Sequence, residues 1–464
     1  MKEDKRRRDV KIILAIVDIS VINLGYFLSS WILHLFSIRS TGDQVDYFWL
    51  MVLSVSFVFI FNLYDLYKDW RRKSVQHLVY SIIISMIILS GVTLILSLLT
   101  PYLSFKPIYI FTALLIQTIL LLFARICFWQ INKKMFGARN VYIIGEDANT
   151  GKQLADKFLN HTKGWFEIAG YVPLAKIDLL HEYAKKCDIF VLSPNITKEN
   201  KQEIVDTCTK FGKEILVVPQ LYELSILGAG TQQVDDMLVI SIKPPLLNVG
   251  EQVYKRIFDV IVSLLLLVIT SPFCGVLFLL IPLTSKGPAL FKQERIGLNG
   301  KPYLIYKFRS MILDAEKRTG PVLATDRDPR ITGIGRFIRA VRLDELPQLL
   351  NVLKGDMSLV GPRPEREYFI KQFKHKYPEY SYRLTVKPGI TGLAQVLGNY
   401  TTPVDDKLRF DLLYVRNYSF LLDVKILLQT IRVVLQREQA QGVKENKHNQ
   451  KLLKKLEGNK VINH

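Results

Sequence analysis

Cysteine and histidine are scarce in this chain, and neither is arranged for chemistry. Its 464 residues include four cysteines, Cys127, Cys187, Cys208 and Cys274, far apart and without a CxxC pair. That argues against a disulfide framework or a thiolate zinc site, and makes a reducing compartment the natural home of the soluble parts. The seven histidines show no HExxH or HxH spacing, which argues against histidine-based metal chemistry. Acidic residues are in deficit too: 42 Asp and Glu stand against 62 Lys and Arg, a formal net charge of +20. A basic chain invites nucleic acid as a partner, but no familiar nucleic-acid motif is present. The positive charge instead accompanies apolar runs, with 49% hydrophobic residues and a mean hydropathy of +0.18. That combination describes a membrane protein whose exposed parts face anionic lipid or phosphate-bearing substrates.

Four apolar segments come first, roughly 12–36, 47–66, 78–99 and 108–129. Each has about the twenty residues a helix needs to cross a bilayer. Lys2, Lys5, Arg6, Arg7 and Arg8 precede the first; Lys68, Arg71, Arg72 and Lys73 separate the second from the third; Lys133, Lys134 and Arg139 follow the fourth. The other two loops hold only Arg39 and Lys106, so both ends of this bundle are expected in the cytoplasm. Asp18 lies inside the first span, where a carboxylate is either functional or paired with a base.

From Arg139 the pattern becomes α/β. Strand-like runs at 141–145, 168–172, 189–193 and 214–219 alternate with helical stretches, the signature of a parallel, doubly wound sheet. The dinucleotide fingerprint is broken, however. Gly145 is followed by Glu146-Asp147-Ala148-Asn149-Thr150, without a second glycine and with two carboxylates where phosphates would lie. The reading is a Rossmann-like middle domain with an empty or regulatory site.

A fifth apolar stretch, 260–283, has Ser271 and Pro272 at its centre, where proline removes a helix hydrogen bond. Lys255, Arg256, Lys286, Lys292 and Arg295 flank it. A kinked span and a re-entrant hairpin are both open on these grounds.

The next 150 or so residues are dense in Arg, Lys, Gly and Pro. Pro347 suits only the first turn of a helix, so a helix is expected from Asp344, with Leu346, Leu349, Leu350 and Leu353 as its apolar face. Asp344 and Glu345 then sit at a helix N-terminus, where the dipole favours the charged carboxylate and free N–H groups attract phosphate. A positioned aspartate can attack phosphorus and split one displacement into two. A neighbouring carboxylate suits Mg²⁺, and Arg309, Arg339, Arg342 and Arg363 can neutralise a transferring phosphoryl group.

Six strings occur in order: Lys255-Arg256-x-x-Asp259, Ser271-Pro272, Lys307-Phe308-Arg309-Ser310-Met311, Asp344-Glu345, Pro362-Arg363-Pro364 and Pro388-Gly389-Ile390-Thr391-Gly392. Together they resemble the bacterial polyprenyl-phosphate hexose-1-phosphate transferase family in its long form, closely over 253–433 and more loosely before. The resemblance implies a monotopic catalytic domain whose re-entrant helix bends at Ser271-Pro272. It implies Asp344 as nucleophile in a Mg²⁺-dependent ping-pong reaction and Glu345 as the metal and phosphate-positioning residue. Lys307, Arg309, Arg339 and Arg363 take the phosphate-binding role. Leu393 and Leu397 replace an aromatic and an amide common in the family, and Arg342 stands where serine or threonine is common.

The architecture expected is therefore a multidomain membrane protein. A four-helix transmembrane bundle (1–136) leads into a Rossmann-like α/β domain (137–245). A monotopic α/β catalytic domain (250–436) with re-entrant helix 260–283 follows, then a polar tail (437–464). The 418–435 segment reads as an amphipathic helix on the bilayer surface. The expected activity is sugar 1-phosphate transfer from a UDP-sugar, glucose or galactose by resemblance, to undecaprenyl phosphate with release of UMP. The expected place is the bacterial inner membrane with the catalytic domain facing the cytoplasm; no nucleic acid takes part, and a homodimer stays open. The rival readings are a membrane-tethered NAD(P)-dependent sugar-nucleotide oxidoreductase and a non-catalytic scaffold or transporter.

Overall fold

In the computed structural model, which describes residues 2–36, 47–68, 75–99, 105–161, 165–227, 229–242, 247–313, 328–399 and 402–436, the leading apolar runs form four helices. They are α1 (Lys2–Leu35), α2 (Tyr47–Leu63), α3 (Val75–Leu99) and α4 (Pro107–Phe136). The 8–35 part of α1, α3 and α4 are long and apolar enough to cross a membrane, whereas α2 has 17 residues, the lower limit for a span. Arg39, Arg71, Arg72 and Lys73 of the loops lie outside the described residues. Phe27, Ile87, Leu98 and Phe123 stand exposed on the helices, as side chains bathed in lipid do. Inside the bundle, Asp18 forms a buried ion pair with Arg125 of α4, whose guanidinium lies 5.3 Å from the centre of the Tyr67 ring. The partner of Asp18 is thus 107 positions away in sequence, out of reach of local reading.

Next come β1 (Arg139–Gly145), α5 (Ala148–His161), β2 (Phe166–Pro173), α6 (Leu180–Lys186), β3 (Ile189–Leu192), α7 (Lys198–Lys210) and β4 (Glu214–Val217). The strands are parallel in the order β2-β1-β3-β4. Their side chains are apolar on both faces because helices cover both. Ile144, Phe190 and Leu192 pack with Ala184 of α6 and Ile204 and Cys208 of α7. Val141, Ile143 and Val191 pack with Leu154 and Ala155 of α5 on the other side, the burial pattern of a parallel sheet. In the turn after β1, Asp147 Oδ1 accepts from Asn149 N (3.0 Å) and Oδ2 from Thr150 N (3.3 Å). The chain's own carboxylate therefore takes the N–H groups at which a dinucleotide pyrophosphate would bind.

The chain divides after Val218 into two compact units. The second begins with α8 (Leu221–Ile226) and the antiparallel ribbon of β5 (Gly230–Val234) and β6 (Met237–Ser241). Sequence reading puts these residues at the end of the middle domain, but Leu224 packs with Ile370, Leu408 and Leu412 of the second unit. Then α9 (Val249–Thr284) opens with a reciprocal cap: Asn248 Oδ1 accepts from Glu251 N, and Glu251 Oε2 accepts from Asn248 N. The helix runs through Pro272. Ser271 Oγ donates to Val268 O (2.8 Å), the carbonyl that the missing N–H of Pro272 leaves without its helix partner. Phe258, Val262 and Leu267 of its first half pack against a core containing Val352, Val360 and Ile426. Leu277 and Ile281 of its second half join Phe308 and Ile338. Leu346 packs against both groups.

The remaining elements are β7 (Leu290–Ile296) paired with β8 (Pro302–Phe308), α10 (Gly333–Ala340), α11 (Gln348–Lys354), β9 (Ser358–Val360), α12 (Glu367–Lys376), β10 (Gly389–Thr391), α13 (Leu393–Leu397), α14 (Val404–Arg416) and α15 (Phe420–Gln436). Three residues tie α9 to this unit. Lys255 Nζ meets Asp423 Oδ2 (2.5 Å) and Val360 O (3.1 Å). Arg256 donates to Val352 O and Leu353 O at the end of α11, and Asp259 accepts from Leu359 N. The polar residues of α15 consequently turn inward: Asp423 and Arg432 are buried, while Phe420, Leu421, Ile431 and Leu435 are exposed. The tail 437–464 lies outside the described residues.

Candidate active site

Asp344 and Glu345 lie on a single 3₁₀ turn, Leu343–Glu345, and α11 starts only at Gln348. The helix expected from Asp344 is displaced because Pro347 has no N–H to donate to residue 343, so the backbone closes i→i+3 bonds instead. Leu346 N donates to Leu343 O, and Leu349 N donates to Leu346 O. The buried face of α11 is Leu349 and Val352; Leu350, expected to face inward, is exposed. Arg342, immediately before the turn, has φ 59° and ψ 18°. This left-handed residue ends α10 and swings the next two carboxylates inward, at a backbone cost of about 1 kcal/mol for a non-glycine side chain.

The two neighbours meet different surroundings. Glu345 Oε1 receives Arg363 Nη2 at 2.9 Å and Lys307 Nζ at 3.3 Å, with Arg342 Nη1 at 3.9 Å. Burial alone would raise its pKa, but Arg363, Lys307 and Arg342 outweigh that and hold Glu345 far below the usual carboxylate range. Asp344 carries no hydrogen bond among the described residues. Its burial, reinforced by the charge of Glu345, pushes its pKa up against the opposing pull of Lys307, Arg339 and Arg342. Burial also lowers Lys307, with Glu345 opposing. Of the residues singled out in the sequence, the structure thus gathers Asp344, Glu345, Lys307, Arg339, Arg342 and Arg363.

Arg309 stands apart. Its guanidinium donates to Lys286 O (2.5 Å), Ser285 O (2.7 Å) and Ser285 Oγ (2.8 Å), closing the C-terminal end of α9. Gly287 (φ +119°) makes room for it, since a Cβ there would come 2.1 Å from Arg309 Nη1. Both terminal nitrogens of Arg309 are thus engaged by oxygens at the end of α9 rather than by the carboxylate pair. Ser271 and Pro272 lie within α9, where Ser271 answers the orphaned carbonyl.

Arg363 follows β9 of the strand pair β9–β10, and Gly389 N of β10 donates to Pro362 O beside it. The pair is parallel, with Gly389 beside Ser358 and Thr391 beside Val360. Gly361 and Gly389 pass so closely that a Cβ on Gly361 would lie 2.3 Å from Lys387 O, so no other residue fits without moving the backbone. Three residues not singled out as site residues from the sequence are Arg295 and Arg383, which donate to carbonyls of the Pro362-Arg363-Pro364 loop, and Asp411. Arg383 and Asp411 form a buried ion pair of 2.9 Å. No periodicity signals such a pair, because its members come from separate elements.

A family model described as bacterial sugar transferase matches residues 250–437. A UDP-glucose:undecaprenyl-phosphate glucose-1-phosphate transferase from Klebsiella pneumoniae is 38% identical over 235 residues, 50% of each chain. A UDP-N-acetylgalactosamine-undecaprenyl-phosphate N-acetylgalactosaminephosphotransferase from Aeromonas hydrophila is 45% identical over 184 residues, 39% of this chain and 43% of that one. A UDP-glucose:undecaprenyl-phosphate glucose-1-phosphate transferase from Escherichia coli is 31% identical over 316 residues, 64% of this chain and 68% of that one. The chain thus spans about half the length of the first two relatives and two thirds of the third.

Proposed function

Because this chain belongs to the bacterial sugar transferase family, we propose that it moves a sugar 1-phosphate from a UDP-sugar to undecaprenyl phosphate, releasing UMP, as the first membrane step of exopolysaccharide, capsule or O-antigen assembly. The observation that carries this reading is the unequal pair at 344–345. Glu345 is neutralised by Arg363 and Lys307, whereas Asp344 lies beside the same cations without a hydrogen bond and is available to attack. An Asp344 carboxylate oxygen bonds to the sugar-bearing β-phosphorus; the bond from that phosphorus to the bridging oxygen breaks, and UMP leaves with the electron pair. A phosphate oxygen of the lipid then attacks the same phosphorus, and cleavage of the acyl-phosphate bond restores the Asp344 carboxylate. Arg363, Lys307, Arg339 and Arg342 stabilise the charge on the transferring group.

Among the described residues no group of three or more His, Cys, Asp or Glu side chains converges on one point. A magnesium ion here would be held by Asp344 or Glu345 Oε2, which accept no hydrogen bond among the described residues, together with phosphate oxygens, the usual arrangement for this cation. When bound it would supply further neutralisation of the diphosphate. The re-entrant reading of α9 is supported by its two halves packing, through Leu346, against neighbouring cores of one unit. A straight 36-residue helix would separate its ends by about 54 Å. The basic loops of the leading helices favour an inner-membrane protein with its active site in the cytoplasm. No observation favours the oxidoreductase reading, and Asp147 stands where its cofactor would bind.

The test is UMP release by purified protein in detergent with Mg²⁺, undecaprenyl phosphate and a panel of UDP-sugars. Release by the wild type and none by Asp344→Asn is expected. Equal release by both removes Asp344 as nucleophile, and release by neither removes the donor class.

A further inference from the structure

The Pro362-Arg363-Pro364 loop is held from outside at every carbonyl. Two of its residues are prolines, which have no N–H and cannot knit the loop internally. Instead Gly389 N donates to Pro362 O (3.0 Å), Arg383 Nη2 to Arg363 O (2.7 Å), Arg295 Nη1 to Pro364 O (3.1 Å) and Ile296 N to Glu365 O (3.1 Å). Four consecutive carbonyls thus take donors from three places in the fold: β10, the end of β7, and Arg383 in the segment between α12 and β10. Arg383 is buried. It is 6% exposed, pairs with Asp411 Oδ2 of α14 at 2.9 Å and donates to the Tyr380 hydroxyl. Arg295 is held by Gln293 Oε1 at 2.8 Å and Glu365 Oε2 at 3.6 Å.

We infer that Arg383, fixed by Asp411, is a positioning residue that aims Arg363 at Glu345, with Arg295 holding the other side of the same loop. The peptide carbonyl of Arg363 is pinned by Arg383 while its side chain reaches Glu345 Oε1 at 2.9 Å. Rotation of that peptide would carry the guanidinium away from the carboxylate pair. Arg383 itself makes no contact with either carboxylate and acts through the loop. A guanidinium suits the task because its fork serves a carboxylate and a carbonyl at once, which an ammonium on a flexible stem does less well. This inference rests on the proposed phosphotransfer reading only for its kinetic consequence.

The test is a double-mutant cycle in the full-length protein, with Arg383→Lys, Arg295→Met, Arg363→Gln and the pairwise combinations. UMP release is measured beside amide exchange at Gly389 and Ile296. Arg383→Lys and Arg295→Met are expected to lower kcat/KM by roughly tenfold to a hundredfold. Adding either to Arg363→Gln is expected to cost nothing more, since both act through Arg363. Both single variants should speed exchange at Gly389 and Ile296, whereas Arg363→Gln should not. Fully additive kinetic losses, or unchanged exchange in Arg383→Lys, would overturn the inference. If the wild type releases no UMP, the functional reading fails and exchange alone decides this one. Arg383→Lys retains the charge, so it guards against a variant that simply does not fold.

Discussion

At Asp344 burial and the charge of Glu345 both act against ionisation, and the surrounding cations only partly oppose them. A carboxylate attacks phosphorus only when ionised, so the rate falls as pH drops through the raised pKa. The acid limb of UMP release should therefore lie above the ordinary aspartate value of about 3.9. Glu345, held low, stays charged across that range and adds no second limb. Glu345→Gln removes a negative neighbour and frees Lys307 and Arg363 to act on Asp344, so the limb should move to lower pH even as the rate falls. A limb that moves upward in the pH–rate profile of that variant would contradict this account. Arg309 makes a contrasting case. Since it closes the end of α9, Arg309→Lys should lower stability by about 2 kcal/mol and leave KM for the donor unchanged. A raised KM at an unchanged melting temperature would return Arg309 to phosphate binding. Asp344 and Glu345 are legible together in the sequence because chain neighbours share a turn, whereas Lys307 and Arg363 reach Glu345 from 38 and 18 positions away. The partners of Arg309, Ser285 and Lys286, are more than twenty positions away in the chain and are not legible from it.

Elements join through polar contacts that hydropathy does not display. The leading helices were legible as apolar runs, yet the contacts that join α1 to α4 include the buried pair of Asp18 and Arg125. Removing one partner leaves an uncompensated charge, a loss of about 3 kcal/mol. Asp18→Asn and Arg125→Met should each lower the thermal stability of the detergent-solubilised protein, and the double variant should recover part of the loss. Strictly additive losses would show that the pair is not coupled. The same principle governs α15, whose Asp423 reads as an interruption in an apolar helix. In the structure it is the buried partner of Lys255, on the same inward face as Ile426, while Phe420, Leu421, Ile431 and Leu435 face outward.

For the whole molecule, the course of α9 decides which side of the membrane the flanking segments occupy. Re-entry puts the two ends of α9 on one side. Gln252→Cys and Lys286→Cys, each in a background without the native cysteines, should react with a membrane-impermeant thiol reagent from the same face of sealed vesicles. Labelling from opposite faces would replace the hairpin with a span.

The sequence by itself determined the apolar segments, the parallel strands of the first unit and the adjacency of Asp344 and Glu345. These depend on local periodicity and on residues next to one another in the chain. Only the tertiary structure decided which carboxylate is neutralised and which is left without a hydrogen bond. Lys307 and Arg363 reach Glu345 from 38 and 18 positions away, and the αL backbone of Arg342 presents the turn to them. Ion pairing depends on distance in space, and that distance is set by the packing of β8, β9 and α11 around a common core.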